Sequence, residues 1–383
     1  MMKMAKRINP IPLMIAAALI LCCCSRNTEP ENSTVSIPTT ASTTASTSEQ
    51  TEPVTSEATE PVTSATETTA ATQPLSPERN PLTGERGFNA AAVGKRPVAV
   101  MVNNVRAALP QYGIAAADVI FELPVEAGIT RLMAVYADYT AVPDVCSVRS
   151  CRYYYPLLCL GMDAVYCHWG MDQTIAKETL TRTGLDRFDG STFSGSLYFR
   201  DEARLETYAT EHTGYLKGSA LPDMMANYGM RTDLAAEYCR PLFQFAAEGV
   251  PLNSSQTPSR EIRLDFSSAY YSTFQYDEAA GNYKKLHSGS PHIDAHTGTQ
   301  LSFENIMILQ TDVHTREDEY LMDVALSGGT GYYAANGGIQ PITWTKNSET
   351  DPIRLYDLNG AELTVSPGKS YIGIIGAEKS ITF

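Results

Sequence analysis

No stretch of this 383-residue chain is apolar for long enough to cross a bilayer as a helix. The most apolar run, Ile11 to Leu21, has eleven residues. It would reach only about 16 Å as a helix, roughly half of a hydrocarbon core. Basic residues are missing altogether from Thr28 to Glu78, and large apolar side chains are almost missing, so that stretch cannot bury a core. Familiar catalytic signatures are absent as well: there is no GxSxG elbow, no Walker loop and no HExxH, and Gly329-Thr330-Gly331 lacks the third glycine of a dinucleotide fingerprint. The body has five cysteines, Cys146, Cys151, Cys159, Cys167 and Cys239, without a CxxC spacing. An odd number leaves at least one unpaired, and small buried side chains account for them better than a disulfide framework.

What is present begins with an address. Lys3, Lys6 and Arg7 precede the apolar run, and Cys22, Cys23 and Cys24 close it, the pattern of a signal peptide that ends in a lipidation site. Cys24 is the expected acylated residue, because Leu21 lies three positions before it and compact Cys23 just before it. A diacylglycerol with its two chains would hold the protein stably. Residues 1–24 are thus expected to be leader and lipobox, and 25–79 a disordered Thr/Ser/Pro/Glu tether in which Thr-Glu-Pro-Val-Thr-Ser occurs twice. Such a tether reaches about 40 Å as a flexible coil and about 150 Å if extended. The predicted location is the outer, cell-wall side of the cell membrane.

The formal charge is −14; residues 1–27 carry four basic residues and residues 28–78 eight Glu, which leaves the rest at about −10. A surface this acidic excludes bulk contact with nucleic acid and anionic lipid. About 300 residues of body imply two domains. The predicted class is α+β, with an N-terminal mixed α/β domain over 80–240 and a smaller, mainly β domain over 255–383. Pro97 to Val102, Val119 to Leu123, Ile129 to Tyr136 and Ala164 to Cys167 read as strands. Arg152 to Leu160, Gln173 to Thr181 and Ser219 to Tyr228 read as helices. Beyond Glu261, alternating stretches at 262–266, 306–310, 339–344 and 353–358 are punctuated by Ala280-Gly281-Asn282, Asn336-Gly337-Gly338 and Asn359-Gly360. The clearest predicted hairpin joins Arg354-Leu355-Tyr356 to Glu362-Leu363-Thr364 through Asn359-Gly360.

Chemistry is expected in the first half. Between Lys95 and Lys217 stand one lysine and nine arginines, a bias that suits planar, bidentate contact with carboxylate or phosphate. Arg131, Arg149, Arg152 and Arg200 fall in the most motif-like segments. Glu122 and Glu126 are their natural partners, and an extended backbone would set both on one face. A structural ion-pair network and a pocket for an anionic ligand both fit, as, more weakly, does a glycosidase carboxylate pair. His168 follows a buried strand, and His212 and Asp201 complete the candidate set. Cys151, flanked by Ser150 and Arg152, could be an activated thiolate, though a structural role fits better. His292, Asp294 and His296 alternate as zinc ligands on a strand would; an exposed turn explains them equally, and no metal or cofactor is predicted.

In order along the chain, Arg96-Pro97-Val98-Ala99-Val100-Met101-Val102-Asn103-Asn104, Pro110-Gln111, Ala117-Asp118-Val119, Glu126-Ala127-Gly128-Ile129-Thr130-Arg131, Val148-Arg149-Ser150-Cys151-Arg152, His168-Trp169-Gly170 and Arg200-Asp201 resemble the YerB-like bacterial lipoproteins. The likeness continues through His212-Thr213-Gly214-Tyr215, Pro291-His292-Ile293-Asp294, Gly331-Tyr332-Tyr333, Trp344-Thr345-Lys346 and Gly368-Lys369-Ser370-Tyr371-Ile372. That family is described by two adjoining domains of unknown function, so the resemblance implies an architecture and lipoprotein status but no reaction. Cys151 stands where the family usually has Ala, which argues against a catalytic thiol. Trp169-Gly170-Met171-Asp172 replaces the family's Gly-Gly-Ser, which argues against a phosphate-cradling loop there. Two classes of function follow: a lipoprotein binding a cell-wall glycopolymer, peptide or envelope protein in an Arg-rich cleft, or a cell-wall hydrolase or transferase using Glu122 or Glu126 with His168 or His212.

Overall fold

The structure, a computed structural model, describes residues 74–247, 257–316 and 320–383. The expected leader, Cys24 and the tether up to residue 73 lie outside the described residues. Among the described residues, no helix is long and apolar enough to cross a membrane.

An eleven-stranded mixed sheet runs through the body. Val119–Pro124, Thr130–Tyr136 and Val98–Asn103 are antiparallel neighbours, and Val165–His168 and Arg187–Asp189 extend the sheet in parallel. On its other side Val119–Pro124 pairs in parallel with Ser370–Gly376, which pairs in turn with Asn305–Thr311. Gly328–Ala335 and Gly338–Thr345 follow. The C-terminal strand therefore lies at the seam, and strands from both sides of the change in texture near residues 231–251 form one hydrogen-bonded surface.

The sheet is buried on both faces, so its strands are continuously apolar rather than alternating. Met101, Phe121, Met133, Tyr166 and Ile372 pack under the helices Tyr154–Leu160 and Ile175–Thr183. Val100, Ile120, Ala134, Ile308 and Tyr371 face the other way, against Ile262, Leu264, Phe274 and Phe303 of a second, six-stranded sheet. Strands Glu261–Asp265 and Asn282–His287 of that second sheet show the alternation of a layer buried on one side.

The sequence placed the helices within about two residues. Asn336 and Gly337, at φ 53° and 75°, turn the predicted hairpin between Gly328–Ala335 and Gly338–Thr345, since both positions need the left-handed region. Asn359-Gly360 also turns, but the hairpin around it is one bridge long, Tyr356 opposite Glu362. Arg354–Tyr356 pairs instead with Thr343–Thr345, and Thr364–Val365 with Gln244–Phe245. Tertiary partners outcompete the local ladder there. The five body cysteines are free, and all but Cys239 are buried.

Candidate functional site

The two glutamates do not share a face. Glu122 lies within its strand and is fully buried. Asn104 Nδ2 and Thr130 Oγ1 donate to its Oε1 at 3.0 and 2.8 Å; Ser272 Oγ and Tyr371 OH donate to Oε2, both at 2.8 Å. Lys285 Nζ stands 3.3 Å from Oε2. Burial alone would raise this carboxyl, yet the Lys285 and His287 charges and the hydroxyl donors hold it below the usual carboxylate range. Lys285 also meets His292 Nδ1 at 3.1 Å, and His292 Nε2 meets Gln111 Oε1 at 2.9 Å. Gln111 Nε2 continues to the Asn103 carbonyl at 2.7 Å. Glu122 is thus the anchor of a buried polar chain between the two sheets, away from any ligand.

Glu126 lies beyond the strand end, where the chain turns at Ala127 and Gly128, and the period-two alternation is lost. Both its oxygens are held by guanidinium groups: Arg131 Nη2 donates to Oε1 at 2.6 Å, and Arg152 Nε and Nη2 donate to Oε2 at 3.1 and 2.9 Å. Arg131 Nη1 also donates to the Ser150 carbonyl at 2.6 Å. Burial, followed by the Arg152 cation, pushes Arg131 below its ordinary value. With Glu126 so held and Glu122 enclosed elsewhere, the two share no partner, and the paired carboxylates of a glycosidase do not form.

Arg149 is different. Its backbone is fixed at the sheet end, N–H to the Met101 carbonyl and carbonyl to the Trp169 N–H. Its Nε is buried and makes no hydrogen bond, and among the described residues no carboxylate is paired with it. Burial, and then the Arg149 cation, holds Arg200 below its ordinary value. His212 is pushed down by burial too, with Arg149 opposing its protonation against the pull of Glu211. Arg131 also feels Arg149. These side chains therefore form one cationic patch in which Glu126 is already shared by Arg131 and Arg152, and Glu211 lies 3.9 Å from His212.

The other candidates are structural supports. Arg200 lies 4.1 Å over the Trp169 ring and donates to the Thr210 carbonyl at 2.6 Å. A Cβ on Gly190 or Gly214 would come within 2.5 or 2.7 Å of that ring, so both glycines make room for it. Asp201 caps the short helix Glu202–Leu205 and accepts the Tyr112 hydroxyl at 3.0 Å. His212 Nδ1 accepts from Asn103 Nδ2 at 2.9 Å. His168 is wholly buried; its Nδ1 donates to the Gly170 carbonyl at 2.8 Å and its Nε2 has no partner. It belongs to the core beside Tyr166 and does not join the arginines.

Two sequence readings are corrected. Burial pushes the Cys151 thiol up to about 12, so Arg152 does not activate it. The 291–298 segment is an exposed turn only in part: Pro291 and residues 295–298 are exposed, but His292 and Asp294 are buried; Asp294 accepts the Ala115 and His296 amides, while His296 stacks on Tyr112 with centroids 3.7 Å apart. Among the described residues no cluster of His, Cys, Asp or Glu could hold a metal. Sequence reasoning missed Lys285, Ser272 and Tyr371, whose only signal was a lysine within an otherwise strand-like stretch.

Residues 82–231 match the N-terminal domain, and residues 262–372 the C-terminal domain, of a protein family of unknown function (DUF3048). The chain belongs to this family. A Bacillus subtilis (strain 168) relative, YerB, named as a candidate lipoprotein, is 29% identical over 302 residues, 77% of this chain and 85% of its own. The crystal structure of YerB from Bacillus subtilis matches the fold with a TM-score of 0.68 at 26% identity, over 80% of this chain and 99% of that one.

Proposed function

We propose that this protein is an extracytoplasmic lipoprotein, tethered to the cell membrane through Cys24, that binds a carboxylate- or phosphate-bearing envelope component on the Arg149 patch. The observation that carries the reading is Arg149 itself, a cation whose Nε is buried without a partner beside Arg131, Arg200 and His212. A guanidinium so placed is costly unless an anion satisfies it. Arg131 and Arg152 are occupied by Glu126 and act as the rigid wall, and Trp169 positions Arg200. The lipoprotein part rests on the leader, the lipobox and the relationship to YerB. The domain limits 80–240 and 255–383 belong to the same reading, as two lobes that share one sheet.

Arg149 has no internal ion pair to lose, so Arg149→Lys is expected to leave the melting temperature unchanged. The same change should weaken binding of sheared wall glycopolymer by about 1.5–3 kcal/mol, the range for a lost charged hydrogen bond. Calorimetric titration measures this. A variant that binds like the parent, or one that melts much lower without losing affinity, overturns the reading.

The anchor has its own test. Replacing Cys22, Cys23 and Cys24 together by Ser should prevent lipidation and release the protein into the medium, as fractionation and immunoblotting would show. Retention of the triple variant in the membrane fraction would argue for another anchor.

A further inference from the structure

Where residues 74–81 join the body, the surface folds inward into an apolar cleft. Leu82, Met162, Leu242 and Pro352 border its mouth, where about 450 Å³ of space is continuous with bulk solvent. Met162, Leu242 and Pro352 also border a narrower space that continues to Phe121 and Ile372 on the central sheet. No residue of the Arg149 patch borders it.

The rim of this cleft is cationic in an acidic protein. Lys95, Arg240 and Arg354 all border it. Lys95 is neutralised by Asp233 at 2.5 Å. Arg354 is only loosely neutralised: Nη1 reaches Glu362 at 3.4 Å, while Nη2 is buried and makes no hydrogen bond. Burial, and then the neighbouring Arg240 cation, pushes Arg354 down. Among the described residues no acidic side chain pairs with Arg240. Two guanidinium groups thus lie near each other on the rim of the apolar cleft, with Glu362 close to Arg354 alone.

Ligand sites are commonly apolar clefts with a few polar groups that fix orientation, and guanidinium groups favour carboxylate and phosphate. The geometry points to a site for a single-chain amphiphile with an anionic head, its carboxylate or phosphate on Arg240 and Arg354 and its alkyl tail in the cleft under Met162 and Leu242. The site is separate from the Arg149 patch and does not depend on it.

The test uses unlipidated protein from residue 25 onward, which contains the whole compact unit, and displacement of a fluorescent undecanoate. Dodecanoate and dodecyl phosphate should both displace the probe. Affinity should rise about fourfold per methylene between octanoate and dodecanoate, as burial of a CH₂ requires. Arg240→Glu, at a partly exposed position, should weaken binding at least tenfold with an unchanged melting temperature, and Arg149→Lys should leave it unaltered. Displacement by inorganic phosphate at the same concentration, equal affinity for octanoate and dodecanoate, or full binding by Arg240→Glu would each overturn the proposal. Dodecyl phosphate binding with no response to dodecanoate would restrict the head to phosphate and overturn the carboxylate half.

Discussion

Lys285→Met is expected to destabilise the folded chain by about 3–5 kcal/mol, the cost of breaking a buried pair and leaving one charge behind. Lys285 and Glu122 are both fully buried, and among the described residues the Lys285 ammonium is the only cation within ion-pair distance of Glu122. Burial lowers Lys285, with Glu122 drawing it back towards the charged form. The methionine keeps the length of the side chain against Phe274 and Tyr371, over which Nζ lies at 5.9 and 5.7 Å. Packing loss is therefore small and the orphaned carboxylate dominates. Glu122→Gln combined with Lys285→Met should recover a large part of the loss, since two neutral groups remain where a lone charge stood. Urea denaturation of the two single variants and the double variant measures the coupling; strictly additive losses would mean that the pair contributes nothing beyond its separate side chains.

Acid should destabilise the protein from about pH 6.5 downwards, before most carboxylates titrate. Burial, reinforced by the Lys285 charge, pushes His287 down from 6.5 to about 4, and moves His292 well below its ordinary value. Above pH 6.5 both histidines are neutral in the folded and unfolded chain alike, so they contribute no dependence. Between 6.5 and about 4 the unfolded chain takes up protons that the folded one refuses, and stability falls as pH falls. A gap of this size at His287 is worth roughly 3 kcal/mol by the time the pH reaches 4. Buried Asp118 and Glu304, whose carboxyls burial raises, act in the opposite direction. Neither ring nitrogen of His287 has a hydrogen-bond partner, so His287→Phe should keep its stability at pH 8 and lose less on acidification. Parallel stability profiles of parent and variant between pH 8 and 4.5 would show that another group carries the effect.

The strands of the central sheet were legible because burial on two faces writes each as an unbroken apolar run, as at Val98–Asn103. Turn chemistry disclosed Asn336-Gly337, where two consecutive residues need positive φ. Pairing was less legible. The arms beside Asn359-Gly360 had the composition of a hairpin, but their partners lie in Thr343–Thr345 and Gln244–Phe245. The site divided along the same line. Sequence spacing brought Glu126, Arg131, Arg149 and Arg152 together, yet gave no means of telling that Glu126 would be taken by Arg131 and Arg152 and Arg149 left without a counter-charge. Nor could it place Glu122 with Tyr371, 249 positions away; such a contact depends on strand order, which local pattern does not encode.

The place of Ser370–Gly376 between Val119–Pro124 and Asn305–Thr311 bears on how the protein is made. The strand that closes the middle of the sheet is among the last to be synthesised. Until it arrives, the earlier strands have an open hydrogen-bonding edge where the seam will be, and most of the native pairing waits on contacts distant in sequence, which form slowly. A chain emerging in order therefore stays without its central layer until nearly its whole length is available. On the proposed extracytoplasmic reading, that delay would keep the body extensible during export and leave closure of the sheet to the outer side of the membrane.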